Sequence, residues 1–300
     1  MDADGIARVM PYLAIADGGG SCQFGGMKLR IGVALLAFFS GLSHGQVAEV
    51  KGNVPEDLLE DKHVRAELGV NEFTAPSISK LFDTLQFLMP LPLIETQRDV
   101  GERMPLDRAD LAIELGFLIA DGFLIVQAGQ LDKVEKMAAD LTRYGKALGA
   151  GDRINRHAAS LLESAKKQDV DTLKKELAST QKDVEIELVT LRDADLAHLI
   201  SLGGWIRALE VSTVAVDKQF SPERAEKIMR EDIADYYTES VAGLEPRISE
   251  RPNYLEMRDI LSGLRNEMVI PEGKKATPQK VKEIREQSAK LVKLALQRQE

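Results

Sequence analysis

The sequence predicts an all-α protein, and three observations carry that prediction. Helix-forming Ala, Leu, Glu and Lys recur along the chain, and such side chains lose little freedom in a helix. Apolar residues return every three or four positions, the spacing of a single helical face. No stretch sustains the two-residue alternation of a strand; residues 185–191 alternate briefly, but inside a longer run of helical period. The expected architecture is a set of antiparallel helical hairpins forming a bundle or short α-α superhelix, with about nine helices.

In chain order, the first legible element is MKLRIGVALLAFFSGLSHGQ, residues 27–46. Lys28 and Arg30 precede an apolar run, and Ser43 and Gly45 are small residues at the positions a signal peptidase inspects. Residues 27–45 therefore read as a signal peptide cut after Gly45, and the apolar run falls well short of the roughly 20 residues of a membrane-crossing helix. Residues 1–26 lack apolar periodicity, so translation is expected to start at Met27, with 1–26 a non-native extension. Residues 46–300 form the expected single helical domain, exported to the bacterial periplasm or secreted, with no integral membrane segment after signal cleavage.

Within it, residues 56–68 and 77–89 are amphipathic, and Pro90 and Pro92 end the second because proline removes a helical hydrogen bond. Residues 90–106 read as a connector. Residues 107–128, DRADLAIELGFLIADGFLIVQA, are the most apolar helix: at 100° per residue, Asp110, Glu114, Asp121 and Ala128 fall within about 40° of one another. A helix with so narrow a polar strip belongs at the centre. Helices follow at 131–148, capped by Gly149, and at 152–167 and 170–191, each starting near an aspartate. The long apolar helix 193–220 comes next, then one over 221–241 opened by Ser221 as N-cap and Pro222 at its first position. Helices 252–268 and 277–297 complete the chain. Ala109-Asp110-Leu111-Ala112 matches Ala194-Asp195-Leu196-Ala197, which suggests a helical repeat of duplicated hairpins.

Charge and cysteine usage bound the function. Net charge is −9 for the chain and for residues 46–300 alone, which argues against nucleic-acid binding. The single cysteine, Cys22, precedes the cut, so the mature protein must rely on its core instead of disulfides. Three histidines remain, His63, His157 and His198, without ligand spacing, and neither a metal nor a cofactor is expected. Residues 271–300 carry +4 against −13 for 46–270; this basic terminal helix suits docking on the acidic body, or contact with an anionic surface.

Several groupings are candidate sites. Glu114 and Asp121 lie seven residues apart on one face of an oily helix, where two carboxylates could hold a cation or basic ligand. Arg153, Arg156 and His157, on a nearby helix, are their expected partners, with Tyr144 or Trp205 as a cavity wall. The ordinary alternative is a thin strip that faces water or meets arginines. Asp195, His198 and Ser201 line one helical side, but a mid-helix serine usually spends its hydroxyl on the preceding turn. Gly203 and Gly204 beside Trp205 disfavour a helix by about 2 kcal/mol, which the close approach of another helix or a kink would offset. The sequence thus favours a non-enzymatic binding or scaffold protein with a protein partner or small ligand. The rival is a receptor or enzyme with an internal cleft lined by Glu114, Asp121, Arg153, Arg156 and His157.

Overall fold

The computed structural model describes residues 78–298, save 99 and 102, all within one compact unit. The signal peptide, the extension before it and the expected helix at 56–68 lie outside the described residues. Those described are helical with no strand, as the periodicity predicts. The helices are α1 (Ile78–Phe87), α2 (Leu93–Thr96), α3 (Arg108–Gln127), α4 (Val134–Leu148), α5 (Gly151–Lys166), α6 (Val170–Thr190), α7 (Ala194–Lys218), α8 (Pro222–Glu226), α9 (Glu231–Gly243), α10 (Pro246–Ser249), α11 (Pro252–Met268) and α12 (Pro278–Ala295).

Local chemistry sets several boundaries. Asp107 Oδ1 accepts from the amides of Ala109 and Asp110, at 2.8 and 3.1 Å, and starts α3. Asp169 takes the Thr172 amide at 3.0 Å to start α6, and Ser221 takes that of Arg224 at 3.2 Å to start α8, with Pro222 at the first position. Gly149 ends α4 at φ 94°, a left-handed conformation suited to glycine. Two expected helices differ from the structure. A short 3₁₀ turn, Leu131–Lys133, precedes α4, and the helix expected at 221–241 is broken in two. After Glu226 the amides of Lys227, Ile228 and Met229 bond three residues back, tightening the chain until it reopens at Glu231. Glu231 and Asp232 stand in the first turn of α9, where carboxylates favour a helix start.

The apolar helices α3 and α7 share the largest interface and form the centre. Short connections make α3–α4, α4–α5, α5–α6 and α6–α7 neighbouring hairpins, and α6 returns to touch α3. On another side α12 packs on α7 and on α11, which in turn packs on α9. The described helices therefore close around a common core as a bundle. The suggested duplication stops at the two matching helix starts: α3 is followed by three long helices, α7 by the broken α8 and α9. α7 is long and apolar enough to cross a membrane, but 94% of its most apolar stretch is buried inside the fold.

The central crossing explains the glycines. A Cβ on Gly116 would stand 2.0 Å from the Ile200 carbonyl oxygen, and one on Gly203 would stand 2.2 Å from that of Ile113. The backbones touch through those two missing side chains, which is the close approach that offsets the poor helix propensity of Gly203 and Gly204. Gly116→Ala and Gly203→Ala should each lower stability by about 3 kcal/mol or more, because backbone must move. Gly263→Ala in α11, which meets nothing within 4 Å, should raise stability by roughly 0.5–1 kcal/mol. Urea melts of the three variants check both signs.

The start of α3 is also stapled to the start of α11. Arg251, 8% exposed, donates to Asp107 Oδ2 at 2.8 Å and to Asp110 Oδ1 at 3.1 Å. Burial pushes the Asp107 carboxyl up, but the Arg251 guanidinium and the Asp110 and Ala109 amides outweigh it and hold the group below its ordinary value. A depressed carboxyl stabilises the fold fully above its unfolded pKa, near 4 for aspartate, and that stabilisation is lost as pH falls through the lower folded value. Asp107→Asn keeps a cap but cannot titrate. It should be less stable than the native protein at pH 7 and lose less stability between pH 5 and pH 2, measured by urea melts at each pH.

Candidate functional site

The site forms where the far half of α3 meets the connector before it. Ten positions running from Leu111 to Ala120 are buried all round, and Glu114 on the strip is the one charged side chain among them. Asp121 is the last acid of that strip. Its Oδ2 accepts from Arg98 Nη2 at 2.9 Å, and its Oδ1 accepts from Arg207 Nε at 2.6 Å. Arg98 comes from the connector, with its guanidinium carbon 5.0 Å from the centre of the Phe117 ring. Arg98 Nε has no hydrogen-bond partner among the described residues, leaving the group with donor capacity.

Arg207 comes from α7 and is 3% exposed. It also donates to Glu210 and to the Thr96 carbonyl, so one guanidinium ties α7, α3 and the end of α2 together. Burial would draw its pKa down, but Asp121 and Glu210 more than reverse that, and it stays above the ordinary arginine value. Arg207 is therefore a fixed buried cation.

Beside this junction lies a cleft of about 320 Å³ between the connector, α3 and the start of α4, near the lower end of the range for small-ligand pockets. Leu93, Leu118, Leu124, Ile125 and Met137 supply apolar lining. Charged lining comes from Arg98, Asp121 and Arg207 on one part, and from Asp132, Lys133, Lys136 and Asp140 on another, with Gln97 and Gln130 as uncharged polar groups. Asp140 is held by Arg143 at 2.9 Å.

The expected cluster around Glu114 and Asp121 does not assemble. Glu114, 5% exposed, accepts from the Tyr144 hydroxyl at 2.7 Å and, through both oxygens, from Arg298 at 2.8 and 3.0 Å. Burial, then Glu114, raises the Tyr144 pKa, so that hydroxyl remains a donor. Arg298 Nη1 also reaches the Arg103 carbonyl at 2.7 Å and so clamps the connector that walls the cleft. Arg153, Arg156 and His157 are not partners of Glu114 or Asp121, because they serve the α5–α6 packing or face water. Arg153 pairs with Glu187 at 2.5 Å, and His157 lies 2.8 Å from Glu176 and 3.0 Å from Asp183. Arg156 is exposed. The ordinary alternative is what forms: the α3 strip meets arginines, although from other elements than expected.

The second grouping also separates. Asp195 accepts from the Glu245 amide at 2.9 Å, His198 Nδ1 lies 3.3 Å from the Tyr236 hydroxyl, and the Ser201 hydroxyl donates to Glu185 at 2.8 Å. Gln181 donates to the same Glu185 oxygen at 2.6 Å, so these groups join α6, α7 and α9. Trp205 is a core residue, 5.0 Å from the Tyr237 ring centre. Among the described residues no group of three or more His, Cys, Asp or Glu side chains could hold a metal ion.

Of the expected site residues, only Asp121 reaches the cleft. Arg98, Lys133, Lys136 and Arg207 were not singled out from the sequence. A cation inside the apolar run of α7 was a signal, since a buried charge requires a partner; Arg98 in an irregular connector offered none. No protein-family model matches the chain, and no curated protein or solved structure matches it either. Asp121→Ala should cost roughly 2–3 kcal/mol, because it removes one of the two carboxylates that hold the buried Arg207 guanidinium and leaves Arg98 without its carboxylate. The double variant Asp121→Ala with Arg207→Met should recover part of that loss; thermal and urea melts of both check it.

Proposed function

We propose that this is a non-enzymatic binding protein of the bacterial periplasm that holds a small ligand in the cleft beside Asp121. The cleft is the observation that carries the reading: it combines an apolar floor with a few fixed polar groups, the usual composition of a ligand pocket. Its walls are tied down before any ligand arrives. Arg207 and Arg298 each bind both a carboxylate of α3 and a carbonyl at an end of the connector or just before it, and a preorganised wall lowers the ordering cost of binding. Support for export comes from the order of cationic, apolar and small residues between Lys28 and Gly45.

Native mass spectrometry of protein isolated from its own cells tests both parts. The expected spectrum shows a mature chain beginning at Gln46 and carrying a small adduct, which Ile125→Trp, designed to fill the cleft, removes. A chain that retains Met1 would overturn export, and an adduct that survives Ile125→Trp would move the ligand elsewhere.

A further inference from the structure

We infer that the cleft selects a small amphiphilic anion: an apolar chain ending in a carboxylate or similar acidic head group. This rests on the binding reading above and names the class of ligand. The apolar half of the argument is the floor made by Leu118, Leu124, Ile125 and Met137, which takes a hydrocarbon body and offers it no hydrogen bonds.

The charged half follows from which lining groups are already neutralised. Asp121 and Glu210 are matched by Arg98 and Arg207, two anions against two cations. Asp140 is matched by Arg143. Among the described residues, what remains around the opening is Lys133 and Lys136 against Asp132, an excess of one positive charge on a chain whose net charge is −9; Asp99 and Glu102 of the connector lie outside the described residues. Lys136 and Asp132 are exposed and Lys133 is half-buried, so the two ammonium groups can move to meet a head group at the rim. An acidic body repels anions at long range, so a rim of the opposite sign decides which end of an amphiphile enters and which sign of head group is retained.

Calorimetric titration of the purified full chain at low ionic strength, with decanoate, decanol and decyltrimethylammonium, tests this. Decanoate should bind one to one and at least tenfold more tightly than decanol, and the cationic amphiphile should give no binding heat. Lys133→Glu with Lys136→Glu should weaken decanoate at least tenfold and leave decanol and the thermal melt unchanged. The matched reversal at the exposed Lys274 and Lys275 should change neither ligand. Decanol equal to decanoate, or a preference for the cation, would overturn the anionic class and leave a binding cleft standing. Decanoate binding that survives Ile125→Trp would overturn the site. If no amphiphile binds while the native adduct persists and is lost in Ile125→Trp, the class fails and the binding reading holds; if no adduct is found either, both fail.

Discussion

The contact of α3 with α7 at Gly116 and Gly203 is the constraint on which the remaining structure depends. Because each glycine faces a carbonyl oxygen of the other helix, the two backbones come closer than side chains would allow, and the apolar residues on either side are drawn into one core. Burial of nearly the whole of both helices follows from that approach. The flanking hairpin series α4 to α6 and the group α9, α11 and α12 then cover what remains. Separating the axes would open space around Ile113 and Ile200, neither of which has any exposed surface, and close-packed interiors tolerate such voids poorly.

A centre this apolar still carries four carboxylates along α3, and the fold meets each with arginine. Arg251 takes Asp107 and Asp110, Arg298 takes Glu114, and Arg98 and Arg207 take Asp121. The four arginines lie far apart in sequence, on the connector, α7, the start of α11 and the residues after α12. The strip therefore acts as a row of attachment points to which distant elements are fastened by charge-assisted hydrogen bonds. Buried ion pairs of this kind add modest net stability, but they penalise any packing that leaves one partner unmatched. The cleft wall is a by-product of the same system, since the connector is held by Arg207 at Thr96 and by Arg298 at Arg103.

The legible parts of the sequence were those governed by neighbours in the chain. The caps at Asp169 and Ser221 and the left-handed Gly149 are choices made within four residues, and each stands where composition and spacing place it; the aspartate expected to start the helix at 152–167 instead lies in the first turn of α5, which begins without a side-chain cap. The break between α8 and α9 was not foreseen, although Glu231-Asp232 carried a helix-start charge signal, because the continuous helical period through 221–241 outweighed it. At the site the difference is sharper. The strip of α3 left Glu114 and Asp121 either facing water or meeting partners, for which Arg153, Arg156 and His157 on a nearby helix stood out. Arg153 and His157 instead satisfy Glu187, Glu176 and Asp183 on α6, and Arg156 is exposed.

By itself the sequence determined the helical class, the two central helices and the caps at Asp169, Ser221 and Gly149, because periodicity, capping and helix propensity act over one or two turns; at Gly203 and Gly204 it left a close crossing and a kink both open. Only the tertiary structure decided which arginine meets which carboxylate, and with it where a cleft is left between α3, α4 and the connector. Partner choice among long charged side chains depends on how helices are ordered around the core, and residues 23 to 184 positions apart in the chain become neighbours there.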